Sequence, residues 1–207
     1  SPWTLACYMV EGKSTREFKR ILHLIYTEGE AAHVLLNKLA VSVADYLMEQ
    51  IKAVVNAVML FDTWGGILTP ENYQNFSLQY MQKIVQQIKA NYPEIPVILF
   101  TKGGGQWLEK MLITGCDALG IDWTCDLGDA RRRVGNQVAL QGNLDPSVLL
   151  TSRQCIREQV KKVLASYGAG SGHVFNLGHG VTPDVPPEHV AAMIEAVYEF
   201  SPYYHQN

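Results

Sequence analysis

Short apolar runs rich in Val, Ile, Leu and Phe recur between longer stretches of helical periodicity, and within them apolar and polar residues do not alternate strictly. Parallel strands buried on both faces have this pattern. Six such runs occur, at residues 3–8, 57–61, 96–100, 118–121, 138–141 and 173–177. Helical signals lie between them. Ser14-Thr15-Arg16-Glu17 is a capping box that predicts a helix to about Tyr26. A second helix is predicted over 30–53, where Leu35, Leu39, Val43, Tyr46, Leu47 and Ile51 recur mostly three or four apart as one apolar stripe. Thr69-Pro70 supplies an N-cap and a first-turn proline for a helix towards Ala90. Residues 106–114 read as helix up to Gly115, Thr151-Ser152-Arg153-Gln154 opens another, and Pro186-Pro187-Glu188 starts the last, which Pro202 ends.

The predicted order is β-αα-β-α-β-α-β-α-β-α-β-α, an α/β pattern that implies a parallel sheet, doubly wound or closed into a barrel. Every predicted strand ends in polar or glycine-containing residues: Tyr8, Asp62-Thr63, Lys102-Gly103-Gly104-Gly105, Asp122, Gly142-Asn143-Leu144-Asp145 and Gly178-His179-Gly180. A barrel gathers its chemistry at the C-terminal ends of many strands, whereas a Rossmann sheet concentrates it at one switch point. The spread favours a (β/α) barrel, in a single domain over 1–207.

The composition fits a globular chain: 207 residues, 47% hydrophobic and 18% charged. A net charge of -3 leaves no basic excess for a phosphate backbone, so nucleic acid is not an expected partner. No apolar run approaches the roughly 20 residues of a membrane span. Cys7, Cys116, Cys125 and Cys155 lack any Cys-x-x-Cys spacing, which suits reduced thiols of a cytoplasmic protein. Lys102-Gly103-Gly104-Gly105 has no phosphate-loop spacing, and Gly168-Ala169-Gly170-Ser171-Gly172 precedes a strand where a dinucleotide fingerprint follows one.

The strand ends also carry a resemblance. Ser1-Pro2-Trp3-Thr4-Leu5-Ala6-Cys7-Tyr8-Met9-Val10-Glu11-Gly12 is similar to a signature stretch of the uroporphyrinogen decarboxylase family. Further blocks resemble the family in its order: Phe61-Asp62-Thr63-Trp64-Gly65-Gly66, Phe100-Thr101-Lys102-Gly103-Gly104, Gly120-Ile121-Asp122-Trp123-Thr124, Leu140-Gln141-Gly142-Asn143-Leu144-Asp145-Pro146 and Asn176-Leu177-Gly178-His179-Gly180. The resemblance implies a (β/α)8 TIM barrel acting as a cytoplasmic homodimer, which turns the four acetate side chains of uroporphyrinogen into methyl groups with release of CO2. It makes the six predicted strands the third to eighth of that barrel, with Ser1 a break in the third strand region and two βα units absent. A full barrel takes about 250 residues or more.

Loss of CO2 from an acetate leaves a carbanion, and in this family the protonated pyrrole ring of the substrate is the electron sink, so the resemblance implies no metal and no organic cofactor. It implies substrate contacts at Tyr8, Thr63 and His179, with Tyr8 and His179 as the catalytic candidates. Tyr8, a phenol that both donates and accepts, reads equally as a structural rim tyrosine from position alone. Thr63 can donate to a carboxylate without adding charge, and alternatively caps the loop after Asp62. Asp62 itself is expected to order that loop, since a bare carboxylate would repel a polyanion. His179, between two glycines, can attract a carboxylate as imidazolium or relay a proton as imidazole. Arg131-Arg132-Arg133 lies in a predicted helix and is read as solvated or paired. The family's arginine-rich stretch and central aspartate precede the residues present. Two alternatives stay open: a zinc-dependent corrinoid or thiol methyltransferase of the same superfamily, for which no His-x-Cys occurs in the chain, or a non-catalytic fragment.

Overall fold

The computed structural model describes residues 1–13, 15 and 17–205. Nine helices of α type and five strands alternate among them: α1 (Pro2–Glu11), α2 (Lys19–Thr27), α3 (Gly29–Lys52), β1 (Val58–Asp62), α4 (Pro70–Asn72), α5 (Gln79–Asn91), β2 (Val97–Thr101), α6 (Leu108–Leu112), β3 (Ala118–Gly120), α7 (Leu127–Val134), β4 (Ala139–Leu144), α8 (Arg153–Tyr167), β5 (His173–Leu177) and α9 (Pro187–Phe200). The strand order β1-β2-β3-β4-β5 follows the chain, as expected where each crossover is a helix. The chain divides into two compact units, 1–118 and 119–207.

One predicted strand is corrected. Residues 3–8 lie in helix α1, so the described residues hold five strands rather than six. The signals for the helix were local: Ser1 is its N-cap, with its hydroxyl accepting from the Thr4 amide, and Pro2 occupies the first turn. Trp3, Ala6 and Cys7 are fully buried at spacings of three and four, and Gly12 closes the helix with φ at 70°. The α/β architecture of an incomplete barrel stands. The capping box predicted at 14–17 falls partly on residues outside those described; α2 begins at Lys19, after Phe18.

In the first unit, β1 and β2 pair in parallel with Val58 opposite Val97 and Asp62 opposite Thr101. Helix α5 buries Met81, Ile84, Val85 and Ile88, the i, i+3, i+4, i+7 face that a helix covering a sheet needs. Helix α3 is a correction in detail. Its buried column is Ala32, Leu36, Ala40, Ala44, Leu47 and Ile51, while Tyr46 of the predicted stripe is 65% exposed. The alanines let α3 lie close to α1 and α5, and the larger Leu35, Leu39 and Val43 flank that column half-buried.

In the second unit, β4 and β5 pair in parallel with Leu140 opposite His173. Helix α8 presents Ile156, Val160 and Leu164, four apart, to a core completed by Leu144, Leu149, Leu177 and Ala196. Arg157 grips Glu199 of α9 with both guanidinium nitrogens, at 2.6 and 2.8 Å, on the exposed side of the same pair of helices.

Candidate functional site

The C-terminal end of β1 is organised around Asp62, which has no exposed surface. Four hydroxyls donate to its carboxylate: Ser1 at 2.7 Å and Thr4 at 3.2 Å to Oδ1, Ser77 at 2.7 Å and Thr101 at 3.4 Å to Oδ2. They come from the N-cap and first turn of α1, from the π-helical turns Tyr73–Leu78 and from the end of β2. Burial pushes the Asp62 carboxyl above its ordinary range, against the opposing pull of the Ser77, Ser1 and Thr4 hydroxyls. Gly65 fits beside it because a β-carbon there would overlap Oδ2. The sequence leads one to expect that Asp62 orders the loop after β1, but its four partners lie outside that loop, and it ties β1 instead to the start of α1, to Ser77 and to the end of β2. A sequence shows which residues carry hydroxyls but not which four converge.

Thr63 follows Asp62 and is half-buried in the turn that leads into Trp64. The Trp64 amide donates to the Thr4 hydroxyl at 3.4 Å, and the Trp64 carbonyl accepts from the Trp3 indole at 3.0 Å. Helix α1 is thereby pinned to this turn through Thr4. Tyr8 stands one helical turn beyond Thr4 on the same face. It lies on a helix, not at a strand end as predicted; its side is 43% exposed and its ring meets Trp64 edge-on at 6.4 Å. Tyr8 and Thr63 thus flank one tryptophan within the first unit.

His179 belongs to the second unit, in the turn after β5, and is half-buried. Its ring stands perpendicular to Trp123 with centroids 6.2 Å apart. Gly178 donates its amide to the Leu144 carbonyl at 2.7 Å, and a β-carbon on it would overlap the Trp123 amide nitrogen. The Trp123 turn is itself fixed. The Asp122 side chain accepts from the Thr124 amide at 2.8 Å, and the Asn143 amide group donates to the carbonyls of Asp122 at 2.9 Å and Cys125 at 2.6 Å. Glycines on either side of His179 were legible in the sequence; the tryptophan that Gly178 admits was not.

Arg131, Arg132 and Arg133 lie on α7 and are paired, as read from the sequence. Arg131 donates to the Tyr167 carbonyl at 2.7 Å with its guanidinium 4.3 Å from that residue's ring, and Arg132 and Arg133 approach Asp129 at 3.2 and 3.8 Å. The cysteines are unbridged. Burial pushes the thiols of Cys7, Cys116 and Cys125 up, which keeps them protonated and poor nucleophiles. Among the described residues no three His, Cys, Asp or Glu side chains cluster to hold a metal ion, and no helix is long and apolar enough to cross a membrane.

Helices alternating with parallel strands in one sheet define an α/β protein of the barrel type. The family model described as uroporphyrinogen decarboxylase (URO-D) matches residues 1–200, and the chain belongs to that family. A relative named uroporphyrinogen decarboxylase from Legionella pneumophila (strain Corby) is 76% identical over 205 residues, 99% of this chain and 58% of the relative. One of the same name from Methylococcus capsulatus (strain ATCC 33009 / NCIMB 11132 / Bath) is 61% identical over 207 residues, 100% of this chain and 59% of the relative. The chain therefore spans a little under three fifths of the length of these curated relatives. A solved structure of a methyltransferase from Methanosarcina mazei matches with a TM-score of 0.78 at 18% identity, over 89% of this chain and 54% of that one, which shows the shared fold alone.

Proposed function

We propose that the whole protein decarboxylates the four acetate side chains of uroporphyrinogen III to give coproporphyrinogen III and CO2, the carboxy-lyase step of haem biosynthesis, as a cytoplasmic homodimer. The family match over residues 1–200 is the observation that carries this reading. No metal or organic cofactor is required, because the ring-protonated pyrrole accepts the electron pair released when the C–C bond to CO2 breaks; the exocyclic methylene so formed takes up a proton to become methyl, and loss of the proton first added to the ring restores the aromatic pyrrole. The protein's share of the work is to orient a flexible polyanion and to supply and hold protons.

In this reading Tyr8 and Thr63 contact substrate carboxylates by neutral hydrogen bonds, and His179 either binds a carboxylate as imidazolium or relays the proton. The Asp62 hydroxyl cage supports the assignment: it holds the helix bearing Tyr8 against the turn bearing Thr63 without offering the substrate a bare negative charge. The test is chromatographic detection of coproporphyrinogen from uroporphyrinogen III with no cofactor added. A chain extended to the relatives' full length with the remaining part of the Legionella protein is expected to form it, and the 207 residues alone are expected not to at a useful rate. Absence of product from the extended chain would overturn the proposal.

A further inference from the structure

Lys102 lies in one of the blocks that resemble the family, yet none of the roles considered so far uses it. It sits immediately after β2, in register with Thr63: Asp62 pairs with Thr101, and the Lys102 amide donates to the Asp62 carbonyl at 3.2 Å, extending the ladder by one step. Thr63 and Lys102 are therefore neighbouring residues at the C-terminal ends of adjacent strands, where barrel proteins hold ligands.

The backbone there is tightly held. A β-carbon on Gly66 would overlap the Lys102 carbonyl oxygen and stand 3.2 Å from the Gly103 α-carbon, so the turns after β1 and β2 touch backbone to backbone. Gly103 then takes φ of 72°, a left-handed conformation that bends the chain sharply away from Lys102. The side chain is half-buried and its ammonium lies 5.9 Å from the centroid of the Trp64 ring. Trp64 is the residue that Tyr8 meets edge-on, and it follows Thr63. A cation and a phenol thus meet one indole within the first unit, and the residue before that tryptophan carries a hydroxyl.

We propose that Lys102 is a carboxylate-binding residue of this site, taking one of the side-chain carboxylates of the tetrapyrrole while Trp64 keeps its aliphatic stem and ammonium in place. This rests on the decarboxylase reading above. Tyr8 and Thr63 are neutral, so a positive charge beside them adds attraction for a polyanion that they cannot supply. An ammonium to carboxylate hydrogen bond is among the stronger polar contacts a site makes, and its loss shows in binding rather than in the chemical step.

The experiment uses the chain extended to the relatives' full length and compares wild type with Lys102→Met, Lys102→Gln and Lys102→Arg. Affinity for uroporphyrin, the stable oxidised octacarboxylate, is read by fluorescence titration, and kcat and KM are read with uroporphyrinogen. The expected result is a rise of about tenfold in Kd and KM for both neutral variants, from the loss of one charge-assisted bond, with kcat within about twofold and with Arg restoring most of the affinity. Unchanged affinity in whichever neutral variant folds overturns the proposal, as does an Arg variant as impaired as the Met one, which would mark Lys102 as packing for Trp64. A wild type that binds uroporphyrin without decarboxylating uroporphyrinogen refutes the decarboxylase reading alone, because the affinities still decide the role of Lys102. A wild type that does neither overturns both.

Discussion

Gly178 packs against Trp123 so closely that a β-carbon on it would stand 3.1 Å from the Trp123 α-carbon and overlap its amide nitrogen. The atoms in the way are backbone, held by Asn143 and Thr124, and have nowhere to go. Gly178→Ala is expected to cost about 1–3 kcal/mol of stability and to displace His179, lowering the proposed turnover at least tenfold. Gly180, with nothing within 4 Å of its hypothetical β-carbon, is the internal control. Thermal unfolding and turnover measured on both alanine variants check this, and equal behaviour would remove the steric account.

The three assigned contacts separate by the kind of parameter they move. Tyr8→Phe and His179→Asn are expected to lower kcat/KM by about ten- to a thousandfold, the range of a positioned proton donor or a charged contact, whereas Thr63→Val, which removes one neutral hydrogen bond of about 1 kcal/mol, should raise KM by about fivefold. Steady-state kinetics with uroporphyrinogen reads all three. Wild-type kinetics in both Tyr8→Phe and His179→Asn would cancel the assignment.

Asp62→Ala leaves four inward hydroxyls without their acceptor. At about 1–3 kcal/mol for a buried polar group stripped of its partner, partly relieved where hydroxyls rotate to other acceptors, the variant should lose about 3 kcal/mol or more. Asp62→Asn, which keeps an oxygen, should lose less. The sign of the pH effect follows from burial, which raises the folded-state pKa above the ordinary 3.8. The proton is held more tightly in the folded chain, so this contribution is complete below 3.8 and fades as pH rises through the folded value. Denaturant titrations between pH 3 and 8 should show that decline in wild type and a flatter profile in Asp62→Asn.

His173, in the second unit, gives the opposite dependence. Its ring stacks on Tyr167 at 4.5 Å and its Nε2 lies 2.9 Å from the Gly142 carbonyl oxygen. Burial lowers its pKa from the ordinary 6.5, with His205 and Arg131 adding to the effect. Its stabilising contribution is therefore present above 6.5 and lost as pH falls through the folded value. Stability should drop on acidification from pH 7.5 with a slope of up to about 1.4 kcal/mol per pH unit for one proton, and His173→Gln should reduce that slope.

The parts of the fold that the sequence made legible are those where periodicity and end signals agree. The runs at 57–61, 96–100 and 173–177 lie within a residue of β1, β2 and β5, and the capping box at 151–154 marks the start of α8, although the N-cap is Ser152 rather than the Thr151 that the box points to. The run at 3–8 failed because the exposed face of α1 carries Leu5, Tyr8 and Met9, so no polar face betrays the helical period and only Ser1 and Pro2 mark it. In α3 the stripe went to the larger leucines, whereas burial followed the alanines that allow close helix packing. Tyr8, Thr63 and His179 stand out as polar residues after apolar runs or between glycines. Asp62 as a hub and Lys102 beside Trp64 depend on contacts between residues tens of positions apart, which no local pattern encodes.

The four tryptophans divide the chain's light emission in a useful way. Trp3 and Trp107 are sealed in the first unit at 0% and 2% exposure, a background that a ligand cannot reach directly. Trp64 and Trp123 are half-open, one beside Tyr8 and the other beside His179. A ligand settling beside either indole changes its environment, so single Trp64→Phe and Trp123→Phe replacements separate the emission of the two half-open tryptophans and report on each turn by itself.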